Sequence, residues 1–318
     1  MPGCPDATER FTGARAGRVP PYRPARCPRP ATATTTRTTV CAMPLGDTVS
    51  DDASAGYRTS LGASDATSIT LLGRDLATDI MGEVGFGELS YWMLLRRRPT
   101  PGQARVFEAV LASLADHGFV PTAIAARLTF LSAPDALQGA VASGLLGGGS
   151  RFLGVTEDCG QFLAAQLDDH EGALPTDDAG YDDLAREIVQ RQRAAKRIIP
   201  GLGHPTHTAD PRVPRLLQIA EEEGLKGPHL RLFEAIGRVH HEVLGRTLPL
   251  NGAGVAGAAL VDAGVPLPML RGVALLARCA GLLGQIAEEI EHPIARDIYL
   301  SVHEQTDYVD PEPAGDGD

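Results

Sequence analysis

The sequence predicts an all-α fold, and three observations lead there. Helical hydrophobic spacing recurs over most of 57–306, strand signals are scarce, and the breaks between candidate helices are short. After the stop-and-start PTPGQ, Phe107, Val110, Leu111 and Leu114 repeat at helical spacing, and Tyr181–Lys196 is amphipathic. Leu216–Glu223 is closed by Gly224 and Leu230–Leu244 by Gly245, glycine being the residue that most easily takes the left-handed conformation after a helix. Leu270–Ile290 is apolar on nearly every face, which predicts a core or subunit-interface helix. The breaks LSAPDA, GLKGPH and DAGVPLP are short enough to make the helices antiparallel neighbours.

Composition narrows the function class. The 318 residues are 43% hydrophobic and 22% charged, an ordinary globular balance. A net charge of -11 argues against a general nucleic-acid binder, which must neutralise phosphates, but leaves small acidic ligands open to a few buried arginines. Of five cysteines, Cys4, Cys27 and Cys41 lie in an irregular leader, while Cys159 and Cys279 sit in apolar helical contexts. With no CxxC pair, the expectation is reduced thiols and a cytoplasmic protein. Arg271 and Arg278 interrupt Pro266–Ile290, so no membrane span is expected.

Residues 1–42 carry seven arginines against Asp6 and Glu9, with many Pro and Thr and no period. They read as disordered, either a transit-like leader or, more simply, sequence upstream of a true start at Met43. The expected boundaries are a leader over 1–56, one folded domain over 57–306 and a flexible acidic tail over 307–318.

The chemistry is concentrated in IIPGLGHPTHTADPR, Ile198–Arg212. Gly201 and Gly203 permit positive φ or close approach to a ligand, and Pro205 pushes His204 out of the α region, so the imidazole is held on a constrained loop. Asp210–Pro211–Arg212 reads as a helix start, with Asp as N-cap and Arg212 in a first turn whose N–H groups favour an anion.

GLGHP followed by DPR resembles the signature of the citrate synthase superfamily. GFGELSYWMLLRRRPTPGQARVFEAVLASLADHG, ASGLLGGGSRFLG, LPLNGAGVAGAAL and ARCAGLLGQIAEE are similar to further family segments, in the same order. Within the superfamily the sequence is most similar to citryl-CoA lyase and to the citryl-CoA-cleaving module of ATP-citrate lyase. The resemblance implies a helical fold with a large domain and a small one (about 178–260), a homodimer, and coenzyme A as carrier of the substrate thioester. It implies cleavage of citryl-CoA to acetyl-CoA and oxaloacetate, or condensation in reverse.

By residue, the resemblance places His204 and His117 as catalytic contacts at the oxaloacetate portion, and Arg212 and Arg278 as carboxylate clamps. Gly203, His207, Gly147, Gly148 and Asn251 are candidate substrate or CoA contacts. Two departures stand out. Gly147 falls where citrate synthases carry a histidine, and Ala253 falls where the family has a proton-transferring aspartate. Asp262, Glu288 and Glu289 are remote replacement acids; without one, either solvent protonates the enolate slowly or the chain is a binding homologue, regulatory or scaffolding, that holds CoA esters or dicarboxylates. Gly284–Gln285 replaces a family Ala-His.

No metal is expected. His240–His241–Glu242 has the wrong spacing for a zinc helix, since adjacent side chains diverge by about 100°. His170, His229, His292 and His303 read as surface residues, and Glu221–Glu223 as a solvated helix end.

Overall fold

Each turn of the first described segment is built by a polar side chain or a positive φ. This is a computed structural model that describes residues 56–204 and 207–311; the leader before Gly56 and the tail from 312 lie outside the described residues. Chain packing separates Met1–Tyr57 from Arg58–Asp318, and the elements below all belong to the second unit. Three short strands, β1 (Gly62–Ser64), β2 (Ile69–Leu71) and β3 (Arg74–Asp75), form an antiparallel meander. Asp65 Oδ1 accepts the N–H groups of Thr67 and Ser68 to make the first turn. Leu72 (φ 54°) and Gly73 (φ 75°) make the second, as a two-residue hairpin loop with both residues left-handed requires. These few strand residues match the scarcity of strand signals in the sequence.

Eleven helices follow among the described residues. They are α1 (Phe86–Leu95), α2 (Pro101–Ala115), α3 (Pro121–Ser132), α4 (Leu137–Leu146), α5 (Val155–Asp168) and α6 (Asp178–Ala194), then α7 (Arg212–Glu222), α8 (Pro228–Leu244), α9 (Gly252–Asp262), α10 (Leu270–Glu291) and α11 (Ala295–Glu304). The predominantly helical fold is therefore the one the sequence predicts. Thr100 and Gln103 form a reciprocal capping box that starts α2, and Gly245 ends α8 at φ 68°.

The core gathers around α9. Gly252 and every residue from Gly254 to Leu260 are buried, and the helix packs on α2, α5, α7, α8 and α10. Small residues allow this: a Cβ on Gly254 would lie 2.6 Å from the Gly201 Cα, and one on Gly257 would collide with the Thr156 carbonyl. The end of α9 is anchored to α1, because Tyr91 Oη donates to Ala263 O at 2.7 Å while Arg97 donates to the same phenol.

The stretch Leu267–Glu291, one short turn followed by α10, has mean hydropathy 1.4 and is long and apolar enough by length and composition to cross a membrane. In this fold it lies against α2, α3, α4 and α5, with Arg278, Gln285 and Glu289 buried on it. Two pieces of the predicted surface are otherwise engaged. His229 is half-buried and its Nδ1 lies 2.7 Å from Asp262, and Arg105 on α2 pairs with Glu222 and Glu223 at the end of α7. Cys159 is fully buried as a free thiol, and burial pushes its pKa up.

Gly201 shows how tight the packing is. Its φ is 85°, and an added Cβ would sit 2.7 Å from the Phe233 ring and 2.9 Å from Cys159 Sγ. Gly201→Ala should combine left-handed strain with overpacking and cost about 2–4 kcal/mol of unfolding free energy. Urea melts check this, and an unchanged midpoint would contradict it.

Candidate active site

The loop that carries His204 is clipped to the chain entering α9. Gly203 N donates to Pro249 O, Asn251 N to Gly201 O, and Asn251 Nδ2 to Gly203 O, at 2.6, 2.9 and 2.8 Å. Asn251 also caps α9 by accepting the Gly254 N–H at 2.8 Å. Gly203 takes φ 97°, which only glycine adopts without strain. The clip puts His204 and Ala253, the first-turn residue of α9, in one rigid frame.

Three imidazoles meet at this place. His117 Nε2 lies 3.2 Å from His207 Nε2, and the His204 and His207 rings are 4.3 Å apart, centroid to centroid. All three are half-buried. His204 Nδ1 accepts the His207 backbone N–H at 2.9 Å, so the neutral ring carries its proton on Nε2 as a hydrogen-bond donor. Burial, then the neighbouring His207, pulls the His204 pKa below its ordinary value and favours that neutral form.

Arg212 is fixed rather than loose. Asp210 accepts its Nε at 3.0 Å and its Nη2 at 2.7 Å, while Nη1 donates to Ser113 O at 3.2 Å. Three of the guanidinium's five N–H groups are thereby used, which leaves two for a ligand. Asp210 also accepts the Gly252 N–H at 2.7 Å. Burial alone would raise this carboxyl, yet the Arg212 bonds and the Gly252 N–H hold it at about 2. The predicted helix start is corrected here: α7 begins at Arg212, and the Asp210 side chain is spent on Arg212 and α9 rather than on the cap alone. A Cβ at Gly252 would collide with the Arg212 guanidinium, so this glycine creates the space in which that side chain lies.

Arg278 on α10 is 5% exposed, and its Nε and Nη1 have no hydrogen-bond partner among the described residues. Burial lowers its pKa; the charge of Asp116 opposes that, and that of Arg212 adds to it. Arg212 is thus felt both by His204, beside His117 and His207, and by Arg278.

Next to His117 ends a polar chain, buried at Arg127, Gln285 and Glu289, that the sequence did not reveal. Arg127, fully buried on α3, donates to Gln285 at 2.8 Å and to Glu289 at 2.7 Å, and also pairs with Glu288. Gln285 passes the chain on to Asp116 Oδ1 at 2.9 Å, and Gly118 N donates to Asp116 Oδ2 at 2.8 Å. Burial would raise Asp116, but the Gly118 and Gln285 bonds hold it below its ordinary value. Gln285, read from sequence only as a departure from the family, is the link that fixes the Asp116–His117–Gly118 turn.

The remaining candidates are placed as follows. Gly144 and Gly148 serve close packing: a Cβ would fall 2.7 Å from Leu282 at the first and 2.9 Å from Leu153 and Leu275 at the second. Gly147 ends α4 with room for a Cβ at 3.4 Å. Asp262 accepts His229 Nδ1 and the N–H groups of His229 and Leu230, which starts α8. Glu289 binds Arg127 and caps α11 through Ile294 and Ala295. The three remote acids are therefore occupied in holding the fold. His240 is satisfied by backbone on both nitrogens, Nδ1 against Ile236 and Gly237 carbonyls and Nε2 accepting Leu248 N–H.

The family model described as citrate synthase, C-terminal domain, matches residues 58–298. The chain belongs to the citrate synthase family. Within this superfamily it lies close to citryl-CoA lyase and the CoA-cleaving module of ATP-citrate lyase. Citryl-CoA lyase from Hydrogenobacter thermophilus is 27% identical, with a TM-score of 0.69 over 81% of this chain and 96% of that one. ATP citrate lyase from Methanothrix soehngenii, solved with citrate and coenzyme A, is 21% identical with a TM-score of 0.66, covering 81% of this chain and 42% of that one. Among curated proteins, the probable ATP-citrate synthase subunit 1 of Neurospora crassa is 29% identical over 153 residues, 48% of this chain and 21% of that protein. The chain thus spans about a fifth of that relative's length. The fold, for its part, is the citrate synthase-like arrangement of helices.

Proposed function

We propose that the chain cleaves citryl-CoA, or a related 3-hydroxy-dicarboxylic CoA ester, to acetyl-CoA and oxaloacetate, with condensation as the reverse. The observation that carries this is Arg278, a buried guanidinium with unmade hydrogen bonds that feels the charges of Arg212 and of Asp116, the residue before His117. A buried cation of this kind is costly unless an anion meets it, and a substrate carboxylate has the matching fork. Arg212, pre-aligned by Asp210, supplies the second clamp.

In the cleavage, the citryl hydroxyl loses its proton, the adjacent carbon–carbon bond breaks, and the electrons pass to the thioester enolate. His204 Nε2–H stabilises the oxygen that becomes the ketone. The Nε2 lone pair that His117 and His207 share in their mutual hydrogen bond accepts the hydroxyl proton once that bond opens to the substrate. The enolate must then be protonated at carbon. Ala253 has no proton to give, and Asp262, Glu288 and Glu289 are engaged elsewhere, so solvent supplies it. That observation favours a second reading, in which the chain holds CoA esters or dicarboxylates without efficient turnover. Both readings take a homodimer with 178–260 as small domain, and α10 exposes Leu283 and Ile290 as apolar surface for a second copy.

Purified chain mixed with citryl-CoA should release oxaloacetate, followed through malate dehydrogenase and NADH. His204→Ala should lower the rate by about 10²–10⁴, the span ordinarily assigned to a positioned acid or base, and Ala253→Asp should raise it. Release at the uncatalysed rate with ester still bound selects the binding reading. Neither release nor binding ends both.

A further inference from the structure

We propose that His117, His204 and His207 form a binding site for one borderline-soft divalent metal ion, of the Zn²⁺ kind, whose occupancy switches the cleft off. One ligating nitrogen from each ring lies within 4.8 Å of those of the other two. A tetrahedral zinc site with Zn–N bonds of 2.0–2.1 Å separates its ligand atoms by about 3.4 Å, so the rings close by at most about 1.4 Å. Ring rotations supply a movement of that size. Three histidines with an open fourth position make a zinc-binding set, and imidazole selects Zn²⁺ and its neighbours over Mg²⁺ or Ca²⁺.

His117 and His207 are already paired through their Nε2 atoms at 3.2 Å, with one proton between them. A metal ion takes the place of that proton, which moves to the Nδ1 of its own ring, and both rings stay neutral. The surrounding charge is balanced: Arg212 and Arg278 are offset by Asp210, which acts on His204, and by Asp116, next in the chain to His117. On binding, the His204 proton passes from Nε2 to Nδ1, which releases the His207 N–H, and the Nε2–H proposed to meet the substrate oxygen is lost. Metal and catalytic hydrogen bond are thus alternative uses of the same ring, and the ion inhibits. The spacing is invisible in sequence because His117 is 87 residues before His204, far from any zinc-helix pattern.

The test uses the full chain and the metal alone. Calorimetric titration with Zn²⁺ should give one ion per chain. His117→Gln and His207→Gln should each weaken it at least about a hundredfold, since removing a ligand exceeds the 10–100-fold loss from removing an outer-shell partner. Circular dichroism of each variant confirms that it is folded. Co²⁺ added to the unaltered chain should show tetrahedral visible bands without sulfur charge transfer, a readout independent of variant folding and of any citryl-CoA activity. No binding, binding unchanged in both folded variants, or a thiolate–Co²⁺ band would each overturn the proposal.

Discussion

Arg278→Met should unfold at a temperature no lower than the parent's while losing its hold on dicarboxylates. The two effects have opposite signs because the guanidinium is 5% exposed with Nε and Nη1 unpartnered. Without a ligand, it is a desolvated cation whose replacement by an apolar side chain of similar volume stabilises by about 1–4 kcal/mol in comparable cases. With a ligand, truncating one half of a buried charge pair removes about 2–5 kcal/mol, so the dissociation constant for oxaloacetate should rise about thirtyfold or more. Thermal melts with and without oxaloacetate read both effects in one experiment. A variant that melts well below the parent would mean that Arg278 is a structural cation. One that keeps its ligand-induced shift would remove the clamp from the site.

Asp210→Asn should behave in the contrary way and lose stability and binding together. The side chain of Asp210 is fully buried and joins four donors, the Arg212 Nε, Nη2 and backbone N–H, and the Gly252 N–H. An amide presents one acceptor oxygen where the carboxylate presents two, so Arg212 loses its bidentate partner. Breaking a buried pair from one side costs about 3–5 kcal/mol, and the partial exposure of Arg212 places this case near the lower figure. The pH dependence follows from the carboxyl held at about 2 against an ordinary 3.8. Its contribution of about 2 kcal/mol is complete above the ordinary value and fades as pH falls through about 2. Denaturant unfolding at stepped pH between 5 and 2 should therefore slope less steeply in the variant than in the parent. Parallel slopes would detach Asp210 from the acid limb.

The helices were legible because their signals are local. Gly245 stops α8 where a left-handed residue is needed, and the spacing of Phe107, Val110 and Leu114 marks the buried face of α2. The meander was not, since β1 is Gly-Ala-Ser, all exposed, and its second turn puts Leu72 at positive φ, a conformation no turn rule assigns to leucine. In the site, the glycines on either side of Leu202 announced a constrained histidine. What sat opposite it could not be read: the strand-like clip from Gly201–Gly203 to Pro249–Asn251 spans about fifty residues, and each half alone looks like an ordinary loop. Asp210 illustrates a further limit. Its Asp-Pro-Arg context has a sufficient local meaning as a helix start, and that meaning concealed the longer-range bond to Gly252.

The frame around position 253 is upheld entirely by its neighbours: Asn251 by its two side-chain bonds, Gly252 by Asp210, Gly254 by the close approach of Gly201. None of those supports consults the residue between them. A substitution at position 253 therefore alters what the cleft carries while the scaffold that presents it stays in place.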